Sequence, residues 1–285
     1  MIDFALLSQK TLAKAVEFSG VGLFTGEQAH VRILPSPPNS GLVFQRIDLP
    51  EKPLIPALLE YVFETPRCTC LANGNASVRM VEHLLSALQG LGIDNALIEV
   101  QGPEIVASDG SAKEFVIGIE QAGIAVYHEV QKKNLKICRP VFWSHKQTHL
   151  IALPSEEFRV SYTLHYPHAA AIGSQYCSLV LTPEIYRSEI AHCRTFSLYE
   201  EMAPLMAGGL LKGASLDRGI LVHGDKILNP EGIRCSEEMV RHKILDLNGD
   251  MALLGASIQG HVIAICSGHA ANIAFSKLLI QSGIQ

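Results

Sequence analysis

The stretch Arg241-His242-Lys243-Ile244-Leu245-Asp246-Leu247-Asn248-Gly249-Asp250 sets a histidine and two aspartates at intervals of four residues. Residues four apart lie one above the other on a helix, so a single face carries His242, Asp246 and Asp250. An imidazole and a carboxylate one turn apart can reach the same cation, and the face reads as part of a metal site. A further ligand comes from the other half of the chain, where Met80-Val81-Glu82-His83-Leu84-Leu85-Ser86-Ala87-Leu88 puts His83, with a carboxylate beside it, inside an apolar run at helical spacing. Burying Glu82 and His83 without partners costs about 1–3 kcal/mol each, so the pair needs a purpose there. One metal held by His83, His242 and Asp246 would tie the halves together. The fold expected is α+β, with two domains of similar topology, each a β-sheet layered against α-helices, and the active site between them.

Around these stretches, residues 11–99 alternate strand-like runs at 29–34, 41–46 and 97–100 with clusters of Gly, Pro and Asn, the pattern of a sheet. A helix is predicted over 80–91, stopped by Gly92, and a second over 111–122, opened by Asp109-Gly110-Ser111. The charged run at 129–134 has the composition of a linker, which divides the chain into expected domains 1–128 and 129–285. The second half repeats the order, with strands near 136–143, 149–153, 159–164 and 174–180 and helices at 236–247 and 272–281. The halves are expected to share a fold on element order alone, since no residue-level repeat is visible. Residues 182–215, ending in Gly208-Gly209-Leu210-Leu211-Lys212-Gly213, read as an insertion near the site.

At 285 residues and 48% hydrophobic composition the chain has ample material for cores, and a net charge of −5 gives no general attraction for nucleic acid or an anionic membrane. No nucleic-acid partner is expected. Seven thinly spread cysteines suit a reducing compartment rather than a disulfide scaffold. Asp3 stands where a secretory leader carries a base, and no window approaches the roughly 18 apolar residues of a membrane span. A cytoplasmic monomer is expected, without export or a transmembrane segment.

Two histidines and one aspartate fill the roughly three protein ligands of a catalytic zinc and leave a position for water. Hydrolysis also needs a base and an acid. Glu82 is the candidate base. His269, in Ser267-Gly268-His269 at a predicted helix start, is the candidate acid. The spacing is not that of the metalloprotease helix, and no Pro-Cys-x-x-Cys pair marks a deaminase. Cys68-Thr69-Cys70 lacks a second pair and reads as packed cysteines. Taken singly, each ligand cluster also fits the polar edge of an ordinary amphipathic helix. His145, His149, His165, His168, His192 and His223 show no partner pattern and read as structural.

Gly20-Val21-Gly22-Leu23, Arg67-Cys68-Thr69-Cys70-Leu71, Val81-Glu82-His83-Leu84, Gly90-Leu91-Gly92-Ile93-Asp94-Asn95, Pro103-Glu104 with Asp109-Gly110-Ser111, Cys193-Arg194-Thr195-Phe196, the 241–250 block and Ser267-Gly268-His269 follow one another in this order. In this the chain resembles the zinc-dependent UDP-3-O-acyl-N-acetylglucosamine deacetylases of bacterial lipid A biosynthesis. The resemblance implies one catalytic Zn2+, with Fe2+ as the alternative ion, on His83, His242 and Asp246. It implies Glu82 as general base, His269 as general acid or electrostatic partner, and Thr195 as an oxyanion donor. Asp250 would orient His269 or a metal ligand. Lys243, Phe196 and Leu23 would contact the nucleotide-sugar substrate, and Tyr199, Met202, Leu210, Leu211 and Ala214 would line an acyl-chain tunnel. Three positions depart from the family pattern: Phe24 for a histidine, Cys266 for a basic residue and Ala271 for leucine. A zinc amidase for another acylated substrate keeps the same metal core. A silent nucleotide-sugar binder is opposed by the intact Glu82 and His269.

Overall fold

The computed structural model describes residues 8–65 and 67–282. The expected lack of an export leader rests largely on residues 1–7, outside that range. After β1 (Ser8–Leu12), the first half runs β2 (Val16–Val21), β3 (Gln28–Pro35), β4 (Leu42–Arg46) and β5 (Leu54–Pro56). A three-stranded excursion follows, β6 (Val62–Glu64), β7 (Cys70–Asn73) and β8 (Ala76–Arg79), then α1 (Glu82–Gly90), β9 (Ala96–Gln101) and α2 (Lys113–Ala122). β10 (Ile124–Gln131) returns to pair antiparallel with β1. The second half opens with β11 (Asn134–Lys136) and runs β12 (Val141–His145), β13 (Thr148–Leu153), β14 (Phe158–Tyr166) and β15 (Gly173–Val180). Its excursion contains β16 (Phe196–Leu198), α3 (Tyr199–Ala207), β17 (Ile220–His223) and β18 (Lys226–Ile227), and α4 (Glu238–Ala252), β19 (Ser257–Ile265) and α5 (His269–Gln281) complete it.

The two main sheets have the strand orders β2-β3-β9-β4-β5 and β12-β13-β19-β14-β15. In both, the last strand made enters the middle, antiparallel to the second and parallel to the third. In both, the small three-stranded sheet and then a helix separate the fourth strand from the central one. This is the shared topology the element order predicts, in an α+β fold of two domains. Alternate residues of β3 and β19 are buried, so one face of each sheet packs inward. The apolar interiors of both halves join in one continuous core, and Glu82 to Leu88 of α1 are buried throughout.

Several boundaries differ from expectation for physical reasons. The charged run at 129–134 is mostly strand: β10 continues to Gln131 and β11 begins at Asn134, because strands with exposed edges tolerate polar composition. The single strand expected over 136–143 is two, interrupted ahead of Val141 by Pro140, which cannot donate to a ladder. β19, the central strand of its sheet, has no counterpart among the predicted strands. α4 runs on past 247 through Asn248 and Gly249, since Gly249 sits where α4 crosses α1: a Cβ there would lie 2.0 Å from the carbonyl oxygen of Glu82. Among the described residues, no helix is long and apolar enough to cross a membrane.

Candidate active site

The crossing of α1 and α4 brings the two predicted ligand sets together. Asp246 Oδ1 lies 3.2 Å from His242 Nε2 and 3.6 Å from His83 Nε2. The ligand atoms of His83, His242 and Asp246 all fall within 4.8 Å of one another, and the two imidazoles meet edge to face at 5.0 Å. His242 Nδ1 sits 3.0 Å from the carbonyl oxygen of Cys193 and donates to it, which leaves Nε2 as the acceptor on the shared face. Lys243 Nζ donates to Asp246 Oδ2 at 2.6 Å. Burial works to raise Asp246, but the Lys243 ammonium and His242 hold it well below the usual carboxylate range, so it stays an anion. Two imidazoles and one ionised carboxylate converge, with His242 Nδ1 and Asp246 Oδ2 tied back by Cys193 and Lys243, and fit a divalent cation with an open position.

Glu82 and His269 flank this face. Glu82 is the first residue of α1, where backbone N–H groups favour a carboxylate, and its Oε2 accepts from Thr69 N at 3.0 Å. Its other oxygen lies 3.9 Å from His269 Nε2. Burial raises the Glu82 carboxyl above its ordinary value. His269 opens α5 and donates from Nδ1 to Asp250 Oδ2 at 2.8 Å. Burial alone would lower its imidazole, yet the Asp250 carboxylate raises it to about 9, so it carries a proton at neutral pH. Asp250 takes two further bonds, from Thr69 Oγ1 at 2.5 Å and from Asn272 Nδ2 at 2.8 Å.

These groups open into a cavity of about 980 Å3 lined by Leu23, Lys243, Thr195, Phe196, Tyr199, Met202, Leu211 and Ala214, all expected from the sequence to meet substrate. Leu210, offered by sequence as tunnel lining, is exposed and outside the lining. The Thr195 backbone is fixed between Gly110 O and Ile220 N, at 2.8 and 2.7 Å. Phe196 stacks edge to face on Tyr166. Buried Glu104 accepts from the backbone of Phe24 and Thr25 and so shapes the loop carrying Leu23. The segment bearing Leu211 hydrogen-bonds back to that loop, through Lys212 N to Phe24 O and Gly213 N to Leu23 O. Met202, Met206, Leu211, Ala214 and Leu216 make one part of the wall apolar. Phe24 and Cys266, the two departures that bear on a ligand, also line it, as do His145 and His165.

Sequence reasoning missed three supports. Thr69 ties Glu82 and Asp250 together across a separation of 181 residues between Thr69 and Asp250. Arg194 is fully buried and grips Glu238, with Nε on Oε1 at 2.8 Å and its own N–H on the same oxygen at 3.0 Å, which fastens the Thr195 segment to the start of α4. His192, read as a lone structural histidine, lies among cysteines. The sequence signal for the first two is a polar residue beside cysteine, Thr69 between Cys68 and Cys70 and Arg194 after Cys193. Cys68 and Cys70 are buried side by side, 3.6 Å apart at sulfur, against Met80.

Residues 9–281 match the model of the UDP-3-O-acyl N-acetylglycosamine deacetylase family. The chain is 44% identical over 276 residues to the UDP-3-O-acyl-N-acetylglucosamine deacetylase of Chlamydia pneumoniae, covering 96% of this chain and 98% of that one. It is 43% identical over 278 residues to the protein of the same description from Chlamydia muridarum, covering 96% of each, and 41% identical over 274 residues to that of Chlamydia felis, covering 96% and 97%.

Proposed function

The chain belongs to the UDP-3-O-acyl N-acetylglycosamine deacetylase family, and from that premise we propose that it hydrolyses the N-acetyl amide of UDP-3-O-acyl-N-acetylglucosamine, releasing acetate and the free glucosamine amine in lipid A biosynthesis. His83, His242 and Asp246 are the residues to hold the ion, zinc with ferrous iron as the alternative. With the halves divided near residue 129, the first supplies Glu82 and His83 and the second His242, Asp246 and His269. The observation that carries the proposal is the convergence of this ligand set with Glu82 and His269 at a cavity whose lining includes Met202, Met206, Leu211 and Ala214.

When bound, the ion supplies Lewis acidity toward the amide carbonyl and lowers the pKa of water at its open position. The protein does the rest. Glu82, pinned through Oε2 by Thr69, offers Oε1 to take the proton of the attacking water. Thr195 donates to the oxygen that becomes negative, a contact whose loss costs about 10² in rate. His269, protonated and steered by Asp250, hands its proton to the departing amine nitrogen. Lys243 holds the outer oxygen of Asp246 and, with Phe196 and Leu23, borders the nucleotide sugar. Tyr199, Met202, Leu211 and Ala214 receive the acyl chain, where each buried CH2 contributes about 0.8 kcal/mol.

The test is acetate release from UDP-3-O-acyl-N-acetylglucosamine by the purified chain, before chelation, after it and with zinc restored. Activity that disappears and returns supports the proposal. A folded, metal-loaded protein that releases no acetate would point to a different acylated amide.

A further inference from the structure

Away from the cavity, at the start of α4, lies a second cluster of ligand-type side chains. The sulfur atoms of Cys193 and Cys235 and a ring nitrogen of His192 all lie within 4.8 Å of one another. Cys193 is buried, whereas His192 and Cys235 are half-buried and so reachable from solvent. The two chain segments that bring them together are clamped from both sides. Arg194 binds Glu238 through side chain and backbone, Arg234 N donates to Glu238 Oε2 at 2.6 Å, and the Arg234 guanidinium reaches the carbonyl oxygen of His192 at 2.7 Å. The two segments that carry the three side chains are thus fixed, and Cys193 Sγ is further placed by a bond to the carbonyl oxygen of Glu189 at 3.4 Å, as a preorganised ligand set requires.

Two thiols and one imidazole form a soft donor set that favours zinc and related cations over magnesium or calcium. Binding replaces the two S–H bonds with sulfur–metal bonds and releases both protons to solvent, so two thiolates neutralise a divalent ion. The nearby cations do not oppose this, because Arg241 is paired with Glu189 at 2.6 Å and Glu237 at 3.0 Å, and Arg234 with Asp109 at 2.7 Å. We propose that His192, Cys193 and Cys235 form a second metal site, for a thiophilic divalent cation such as zinc, distinct from His83, His242 and Asp246. An ion there braces the segment whose Cys193 carbonyl orients His242 and which carries Thr195 two residues on.

Cobalt distinguishes the two sites, since thiolate ligation gives a sulfur-to-metal charge-transfer absorption that a nitrogen and oxygen ligand set does not. The experiment is titration of the full chain with Co2+, after chelation and with thiols kept reduced by a phosphine. The expected result is a charge-transfer band that rises and saturates, is lost in Cys235→Ser, and persists in a Cys68→Ser, Cys70→Ser double variant. His192→Ala, at a half-buried position, gives a second reading with weakened Co2+ binding, and decides the matter if Cys235→Ser does not fold. A wild-type chain with no such band overturns the proposal, as does a band that survives in folded Cys235→Ser or is unaltered in His192→Ala.

Discussion

Asp250 shows how single residues set the chemistry here. One carboxylate accepts from Thr69 on one oxygen and from His269 and Asn272 on the other, so it fixes a side chain from each half while charging an imidazole. Activity that needs protonated His269 should fall as pH rises through about 9. In Asp250→Asn the largest attraction that raises His269 is gone, leaving those of Asp246 and Glu82, and the alkaline limb of the kcat profile should move to lower pH. The same shift links to stability. A folded value above the ordinary 6.5 means that protonated His269 stabilises the fold in full below pH 6.5, and that this contribution is lost as pH climbs to about 9. Tm measured across that window should decline, and less steeply in Asp250→Asn. The proposed roles separate cleanly at two neighbouring positions. His83→Ala should lose both bound metal and turnover, while Glu82→Ala should keep the metal and lose about 10² or more in acetate release, as metal analysis beside the assay would show. Near-normal activity in Glu82→Ala would remove it as the base.

At the scale of elements, the site depends on how closely α4 approaches α1. A methyl at Gly249 would press on the Glu82 carbonyl carbon and oxygen, both backbone atoms that cannot rotate aside. Gly249→Ala should cost about 1–3 kcal/mol in urea unfolding and weaken metal binding with it, by forcing apart the helices that carry His83 and His242. Glu238→Ala should cost more, about 3–5 kcal/mol, because it removes the buried carboxylate from the Arg194 guanidinium and leaves it only Glu231 and the Gly232 carbonyl. α1 and the ligand face of α4 were legible in sequence because four-residue spacing is local. β19 was not assigned, although Ile258, Val262 and Ala264 alternate with half-buried residues, because its periodicity is interrupted by Gly260 and its importance comes only from the two strands it enters between. Thr69 and Arg194 stayed hidden for the same reason: their partners are distant in the chain, and no local pattern encodes them. The cluster at His192 joins two segments more than 40 residues apart in the same way.

For the molecule as a whole, the proposed ligands come from both halves, so metal binding would contribute to folding. Chelation should lower Tm, and a metal present at 1,000 times its Kd should restore about 4 kcal/mol, read as a concentration-dependent Tm in a calorimeter. An unchanged Tm would mean that the halves are held by their shared core alone. The repeated strand order has a further consequence, in the timing of synthesis. Each sheet is closed by the strand made last, so the first can be complete once Gln101 has emerged from the ribosome, but the second must wait for Ile265. His242 and Asp246 are translated before that strand exists. Their helix therefore emerges with an already folded first half to lean on and its own sheet still open, and the earlier domain serves the later one as a scaffold during birth.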